Sequence, residues 1–142
     1  MSKQDLESYI QHYFEMVRKG LEPDPYVTDE PTCFTDEDGS QHWYLHGQLH
    51  REDGPALIHP DGTIIYYKYG RYHREGGPAY SHPNGTQYWF INGEYHREDG
   101  PAVVFDIGGS WYLNGRQYSL EDWLETRDWS DAKKLEFYLK WK

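Results

Sequence analysis

The phrase His-Arg-Glu-x-Gly-Pro-Ala occurs three times, at His50–Ala56, His73–Ala79 and His96–Ala102, with a period of 23 residues. Trp43, Tyr66 and Trp89 fall in one column of the same period. A fixed interval of this length is the mark of a stacked repeat, in which each unit buries its apolar face only against the next copy. A fourth unit, "GGSWYLNGRQYSL", puts Trp111 in the aromatic column and loses the phrase after Tyr118. An incoming half-unit, "PTCFTDEDG" (Pro31–Gly39), precedes the first. Regular middles between atypical ends are what such an array requires.

Each unit reads as a hairpin. Gly-containing pairs such as His46-Gly47 and Asn92-Gly93 separate aromatic-rich segments. A two-residue turn sets Leu45 against Gln48, Tyr44 against Leu49 and Trp43 against His50. The same count pairs Tyr66 with His73, Trp89 with His96 and Trp111 with Tyr118. Each aromatic–histidine pair is worth about 0.2–1 kcal/mol. The opposite face then carries Tyr44–Leu49, Tyr67–Tyr72 and Phe90–Tyr95. A second turn at "EDGP" or "EGGP", and a third at "PDG" (Pro60–Gly62) or "PNG" (Pro83–Gly85), close the unit. Seven to eight short antiparallel strands are expected.

The flanks are helical in pattern. Residues 5–19 place Leu6, Ile10, Tyr13 and Val17 on one stripe, with Ser2 as cap and Gly20 as stop. Ser119 with Asp122 opens a second helix holding Leu120, Trp123 and Leu124, and Ser130 a third with Leu135, Tyr138, Leu139 and Lys142 along one side. The expected architecture is α+β, mainly β: a meander of about four hairpins between an N-terminal helix and one or two C-terminal helices. Residues 1–20 form the first helix, 21–31 an acidic proline-rich connector, 32–118 the hairpin repeats and 119–142 a helical cap, all in one domain. The chain has 25 aromatic residues, 14 of them Tyr. A disordered chain would be aromatic-poor, so the mean hydropathy of -1.00 does not place it in that class.

The "NG" turn, the "DG" closure, the repeated aromatic and the His-x-x-x-Gly-Pro core resemble the MORN repeat. The closer likeness is to variant arrays built on "NGxxHREDGPAV…DGT…WYxNG" in phage, bacterial and large-virus proteins. Trp89–Ala102 carries the match, echoed by Trp43–Ala56 and more loosely by Tyr66–Ala79, and coverage is roughly 32–118. Tyr69 stands where the pattern has Asn, and Gly76 where it has Asp. The resemblance implies a hairpin meander used for contact with other molecules, such as an accessory protein of a phage or mobile element that binds and modulates a host protein. It implies no single activity.

The threefold His-Arg-Glu invites a metal or acid–base reading. Equivalent histidines two strands apart would lie about 9–10 Å from one another, whereas zinc ligands sit about 2 Å from the ion. Three copies of one phrase fit a fastener better than a catalytic centre, which is normally written once. His50, Arg51, Gly54, Pro55, His73, Arg74, Gly77, Pro78, His96, Arg97, Gly100 and Pro101 are therefore read as structural, with no catalytic residue, metal or cofactor expected. No serine-hydrolase elbow, phosphate-cradling loop or zinc-protease motif is present in the sequence. A His/Asp hydrolase is the weakest reading. Cys33, the single cysteine, is expected as a small buried residue of the first strand.

Function is then expected where repeats differ or rings are exposed. The candidate partner-binding residues are Trp43, Tyr44, Tyr66, Tyr67, Trp89, Phe90, Trp111 and Tyr112. Outward variable columns are expected at His42/Ile65/Tyr88, Leu45/Lys68/Ile91 and Gln48/Arg71/Glu94. Net charge is -10, and Glu22–Asp38 holds seven acids without a Lys or Arg. That balance disfavours direct nucleic-acid binding or an anionic membrane. It suits a partner protein with a basic surface, met through Asp24, Asp29, Glu30, Asp36, Glu37 and Asp38. A small-molecule or nucleotide-sequestering protein is the alternative, with rings stacking on a base. A cytoplasmic setting is expected, as monomer or homodimer.

Overall fold

The structure, a computed structural model, describes residues 3–20 and 29–142. Helix α1 (Lys3–Arg18) leads to β1 (Thr32–Thr35), β2 (Gln41–Leu45), β3 (Gln48–Leu49), β4 (Leu57–Ile58) and β5 (Ile64–Ile65). Strands β6 (Tyr67–Lys68), β7 (Arg71–Tyr72), β8 (Tyr80–Ser81), β9 (Gln87–Tyr88), β10 (Phe90–Ile91) and β11 (Glu94–Tyr95) follow. The chain ends with β12 (Val103–Phe105), β13 (Gly108–Leu113), β14 (Arg116–Tyr118), α2 (Leu120–Glu125) and α3 (Asp131–Trp141). The architecture is α+β, mainly β, with an antiparallel meander between terminal helices. Residues 21–28 of the expected connector, Asp24 among them, lie outside the described residues, as does Ser2.

The four hairpins form in the register that two-residue turns dictate. Tyr44 pairs with Leu49, Tyr67 with Tyr72, Phe90 with Tyr95 and Trp111 with Tyr118. The first turn residues, His46, Tyr69, Asn92 and Asn114, have φ of 48°, 47°, 50° and 49°. The glycine after each is also left-handed, as a type I′ turn requires. Its N–H then reaches back to the preceding hairpin: Gly70 N donates to Leu49 O at 2.9 Å, Gly93 N to Tyr72 O at 2.8 Å and Gly115 N to Tyr95 O at 2.9 Å.

Among the described residues there are more and shorter strands than the seven or eight expected, and two of the column aromatics each divide one. Tyr66 and Trp89 donate their N–H to Ala79 O and Ala102 O, each at 2.7 Å, on the main sheet. Their carbonyls accept from His73 N at 3.2 Å and His96 N at 3.0 Å on the hairpin side. One residue thus serves two ladders and the strand is interrupted there. The main sheet runs β1-β2-β4-β5-β8-β9-β12-β13-β14, while β6–β7 and β10–β11 are separate pairs. The alanines that take these bonds, Ala56, Ala79 and Ala102, are completely buried.

The ends are closed differently. Along α1, Leu6 is buried and Tyr13 stacks on His46 at 5.5 Å, but Val17, in the last turn before the left-handed Gly20, is 52% exposed. Ser119 caps α2 by accepting from Asp122 N, and Ser130 caps α3 by accepting from Lys133 N. Trp111, Leu113, Trp123 and Leu124 make a buried core, packed against Trp129, Phe137, Tyr138 and Trp141. The α3 stripe expected at Leu135 and Leu139 is turned out, 59% and 65% exposed; the aromatic pair Phe137 and Trp141 takes the inner side instead. Larger ring area wins that choice.

Candidate functional site

The repeated phrase assembles the same contacts in each hairpin. His50, His73 and His96 accept at Nδ1 from the backbone N–H of Tyr69, Asn92 and Asn114, each at 3.0 Å. The acceptor is on one hairpin and the donor is the turn of the next. An Nδ1 that accepts leaves the ring proton on Nε2. In that tautomer His50 Nε2 donates to Glu52 at 3.1 Å, while Glu75 and Glu98 stand 3.8 and 3.6 Å from His73 and His96.

The arginines complete the unit. Arg51, Arg74 and Arg97 lie over Trp43, Tyr66 and Trp89 at 4.1, 4.0 and 3.8 Å, and donate through Nη1 to Pro55 O, Pro78 O and Pro101 O at 3.2 Å. A Cβ at Gly77 or Gly100 would lie 2.7 Å from the guanidinium carbon, so the glycine is there to admit it. Among the described residues no group of three or more His, Cys, Asp or Glu is placed to hold a metal ion.

This arrangement divides the eight candidate binding rings. Trp43, Tyr66 and Trp89 are roofed by guanidinium groups, and Trp111 is buried in the C-terminal core. Tyr44, Tyr67, Phe90 and Tyr112 lie on the other face, half-buried. There the rings run in a continuous row: Tyr67–Tyr72 at 4.7 Å, Tyr72–Phe90 at 4.9 Å, Phe90–Tyr95 at 4.2 Å and Tyr95–Tyr112 at 5.0 Å. Tyr88 meets Tyr80, Tyr95 and Phe105 at 4.9, 6.1 and 6.2 Å and extends the row onto the main sheet. Phe105 is 48% exposed at its margin. Burial and then a hydrogen bond with Tyr72 push the Tyr67 phenol up, and burial does the same at Tyr44 and Tyr95. Tyr80 and Phe105 were not among the candidates, and Tyr88 was named only in the variable column His42/Ile65/Tyr88. The strand alternation that puts residue 88 on the side of 90 was the signal for Tyr88.

The variable columns also separate. In His42/Ile65/Tyr88, Ile65 is buried rather than outward, His42 sits 3.0 Å from Asp36 Oδ2, and half-buried Tyr88 joins the ring row. In the second column Leu45 is buried and Lys68 exposed, whereas Gln48, Arg71 and Glu94 are all exposed.

The acidic candidates are partly turn-formers. Asp38 Oδ1 accepts from Ser40 N at 2.7 Å, and one period later Asp61 and Asn84 accept from Thr63 N and Thr86 N at 2.8 and 2.9 Å. Asp36 accepts from Asp38 N and Ser40 N, each at 3.1 Å. Asp29, Glu30 and Glu37 are exposed. Hydrogen bonding with Asp36, then from Ser40, brings the Asp38 carboxyl from its ordinary 3.8 to about 2. A depressed folded-state pKa stabilises above the unfolded value and loses that contribution as pH falls through the folded one. The carboxyl resonance of Asp38, followed by NMR, is therefore expected to titrate near 2, and the Ser40 amide to lose its downfield shift over the same interval.

Cys33 is free and exposed rather than buried, because alternation turns Phe34 inward instead. No protein-family model, curated protein or solved structure matches the chain.

Proposed function

We propose that the chain is a non-enzymatic protein-binding module of MORN-like hairpins, and that the tyrosine face is its docking surface. One observation carries the reading. On the opposite side of the hairpins every column ring except Trp111 already has an arginine over it, and further cations lie over Tyr118, Trp123, Trp129, Tyr138 and Trp141. Among the described residues no cation lies over Tyr67, Tyr72, Phe90, Tyr95 or Tyr112.

A row of mutually stacked rings that carries no cation, on a chain of net charge -10, favours a partner that brings arginine or lysine to its exposed edges and outer faces. The contact then combines stacking on the rings with long-range attraction that salt weakens. Membrane insertion is not part of this reading; among the described residues no helix is long and apolar enough to cross a bilayer.

The test compares proteins retained from a lysate by the intact chain, by Tyr95→Ala and by Leu135→Ala, with titration calorimetry on any protein captured. Tyr95 lies between Phe90 and Tyr112 in the row, while Leu135 is on an unrelated surface. Tyr95→Ala is expected to weaken binding at least tenfold, as for an interface ring worth more than about 1.4 kcal/mol. Leu135→Ala is expected to bind like the parent. Equal binding by all three would end the proposal.

A further inference from the structure

Among the places where the second repeat departs from its sisters, two leave positive charge unmatched beside one cleft. In the first and third repeats Asp53 and Asp99 accept from Arg51 Nε and Arg97 Nε at 2.8 Å. In the second the aspartate is replaced by Gly76, so Arg74 Nε has no carboxylate opposite it. Gly76 takes φ of 75°, whereas Asp53 and Asp99 do not enter the left-handed region. A Cβ there would meet nothing within 4 Å, and Gly76 itself borders the neighbouring cleft toward Trp89 and Ile91. The second departure is Lys68, which is exposed where the first and third repeats have Leu45 and Ile91.

Arg74 and Lys68 line one cleft of about 430 Å³ between the first two hairpins, together with Arg51, Glu52, Asp53, Tyr66, His73 and Glu75. The carboxylates of this cleft already have neighbours. Asp53 is held by Arg51 at 2.8 Å and Glu52 by His50 at 3.1 Å, while Glu75 is nearest His73 at 3.8 Å. Neither Arg74 nor Lys68 has a carboxylate within ion-pair distance among the described residues. Arg74 is nevertheless fixed: one guanidinium face lies on Tyr66, and Nη1 is bound to Pro78 O. A planar guanidinium held on two sides with its Nε edge open is preorganised for a carboxylate.

We propose that this cleft is a carboxylate-binding site, in which an external carboxylate pairs with Arg74 as Asp53 and Asp99 pair with Arg51 and Arg97. Arg74 grips it through Nε and Lys68 supplies the second charge. The ligand is a free organic acid or an aspartate or glutamate side chain of another protein. The site lies mainly on the histidine side of the hairpins, with Tyr67 also in its lining, and rests on the unpaired cations rather than on the tyrosine-face reading. Because the cleft is open and its formal charges balance, affinity for one small acid is on the order of millimolar.

The experiment follows the Nε–H resonances of Arg51, Arg74 and Arg97 by NMR at fixed ionic strength. Succinate, a blocked Glu-Glu dipeptide, inorganic phosphate and chloride are titrated separately. Saturable movement of the Arg74 signal with succinate or the dipeptide, while Arg51 and Arg97 stay still, is the expected result. Tighter binding of succinate points to a free acid, and tighter binding of the dipeptide to a protein side chain. Gly76→Asp should move the Arg74 signal toward those of Arg51 and Arg97 without ligand and abolish the response. Lys68→Leu, an exposed change to the residue class of the sister repeats, should weaken binding at least threefold. The proposal is overturned by no saturation, by phosphate or chloride acting as strongly as the carboxylates, by equal movement of all three arginines, or by a response unchanged in both variants.

Discussion

Trp123→Ala is expected to lower the unfolding free energy by about 3–5 kcal/mol, the range for truncating a fully buried large aromatic. Against a typical domain stability of about 5–15 kcal/mol, that leaves the protein close to unfolding. Trp123 has no exposed surface, and its ring meets Trp111 at 4.7 Å, Phe137 at 5.5 Å and Trp129 at 5.8 Å. These contacts join α2, α3 and the last hairpin, so one cavity would loosen all three. Its indole Nε1 is buried without a partner, so truncation removes packing and leaves no hydrogen bond broken. Trp123→Phe keeps most of the ring area and deletes the unpaired N–H, and should cost less than half as much. Leu135→Ala, on the outer side of α3, should stay within about 0.5 kcal/mol of the parent. Urea denaturation followed by far-ultraviolet circular dichroism separates these cases. A single transition for Trp123→Ala, shifted to lower urea, is expected, because the last hairpin is hydrogen-bonded to the one before it through Arg97 N and Tyr112 O at 3.2 Å. A parent-like midpoint for Trp123→Ala would mean that the cap does not support the array.

How far these features could be read from the sequence varies with the range of the contact. The hairpin registers were legible because they depend on two adjacent residues. His46-Gly47 or Asn92-Gly93 sets the turn, and Trp43 opposite His50 or Trp89 opposite His96 follows by counting. Helix starts at Ser119 and Ser130 were legible for the same local reason. The histidine phrase could be read as a fastener, but not what it fastens. His50 binds the turn of the next hairpin, 19 residues on, and spacing alone does not tell a neighbour from its own strand. Sequence also could not show that the guanidinium groups roof the Trp43, Tyr66 and Trp89 rings, which moves the accessible rings to the Tyr67–Tyr112 side. Period-2 alternation identifies two faces without saying which is covered. It was likewise silent on Cys33 against Phe34, where the alternation is clear but the covered side is not. On α3 two apolar pairs share the helical period, Leu135–Leu139 and Phe137–Trp141, and only the adjacent Trp111 and Trp123 decide between them.

Arg97→Ala is expected to cost about 3 kcal/mol, with no catalytic or metal chemistry needed to explain the loss. The side chain makes three separate contributions. A partly desolvated cation over Trp89 contributes about 0.5–2 kcal/mol. Its charged hydrogen bond to Pro101 O contributes about 1.5–3 kcal/mol. The pair with Asp99, whose side chain is 74% exposed, adds little. Arg97→Lys retains the charge but not the planar fork, so it should recover less than half of the loss. Gly100→Ala provides the sharper check. Its Cβ would meet the Arg97 guanidinium at 2.7 Å, so in the parent it should destabilise by overpacking, about 1–3 kcal/mol. Once Arg97 is alanine that clash is gone, and the same substitution should become nearly neutral. The double-mutant cycle is therefore expected to show strong coupling, which two independent structural sites would not. Chelator treatment should leave all four denaturation midpoints in place. Additive losses would mean that Gly100 serves some purpose other than admitting the guanidinium. The glycine-proline half of the phrase would then need a separate physical cause.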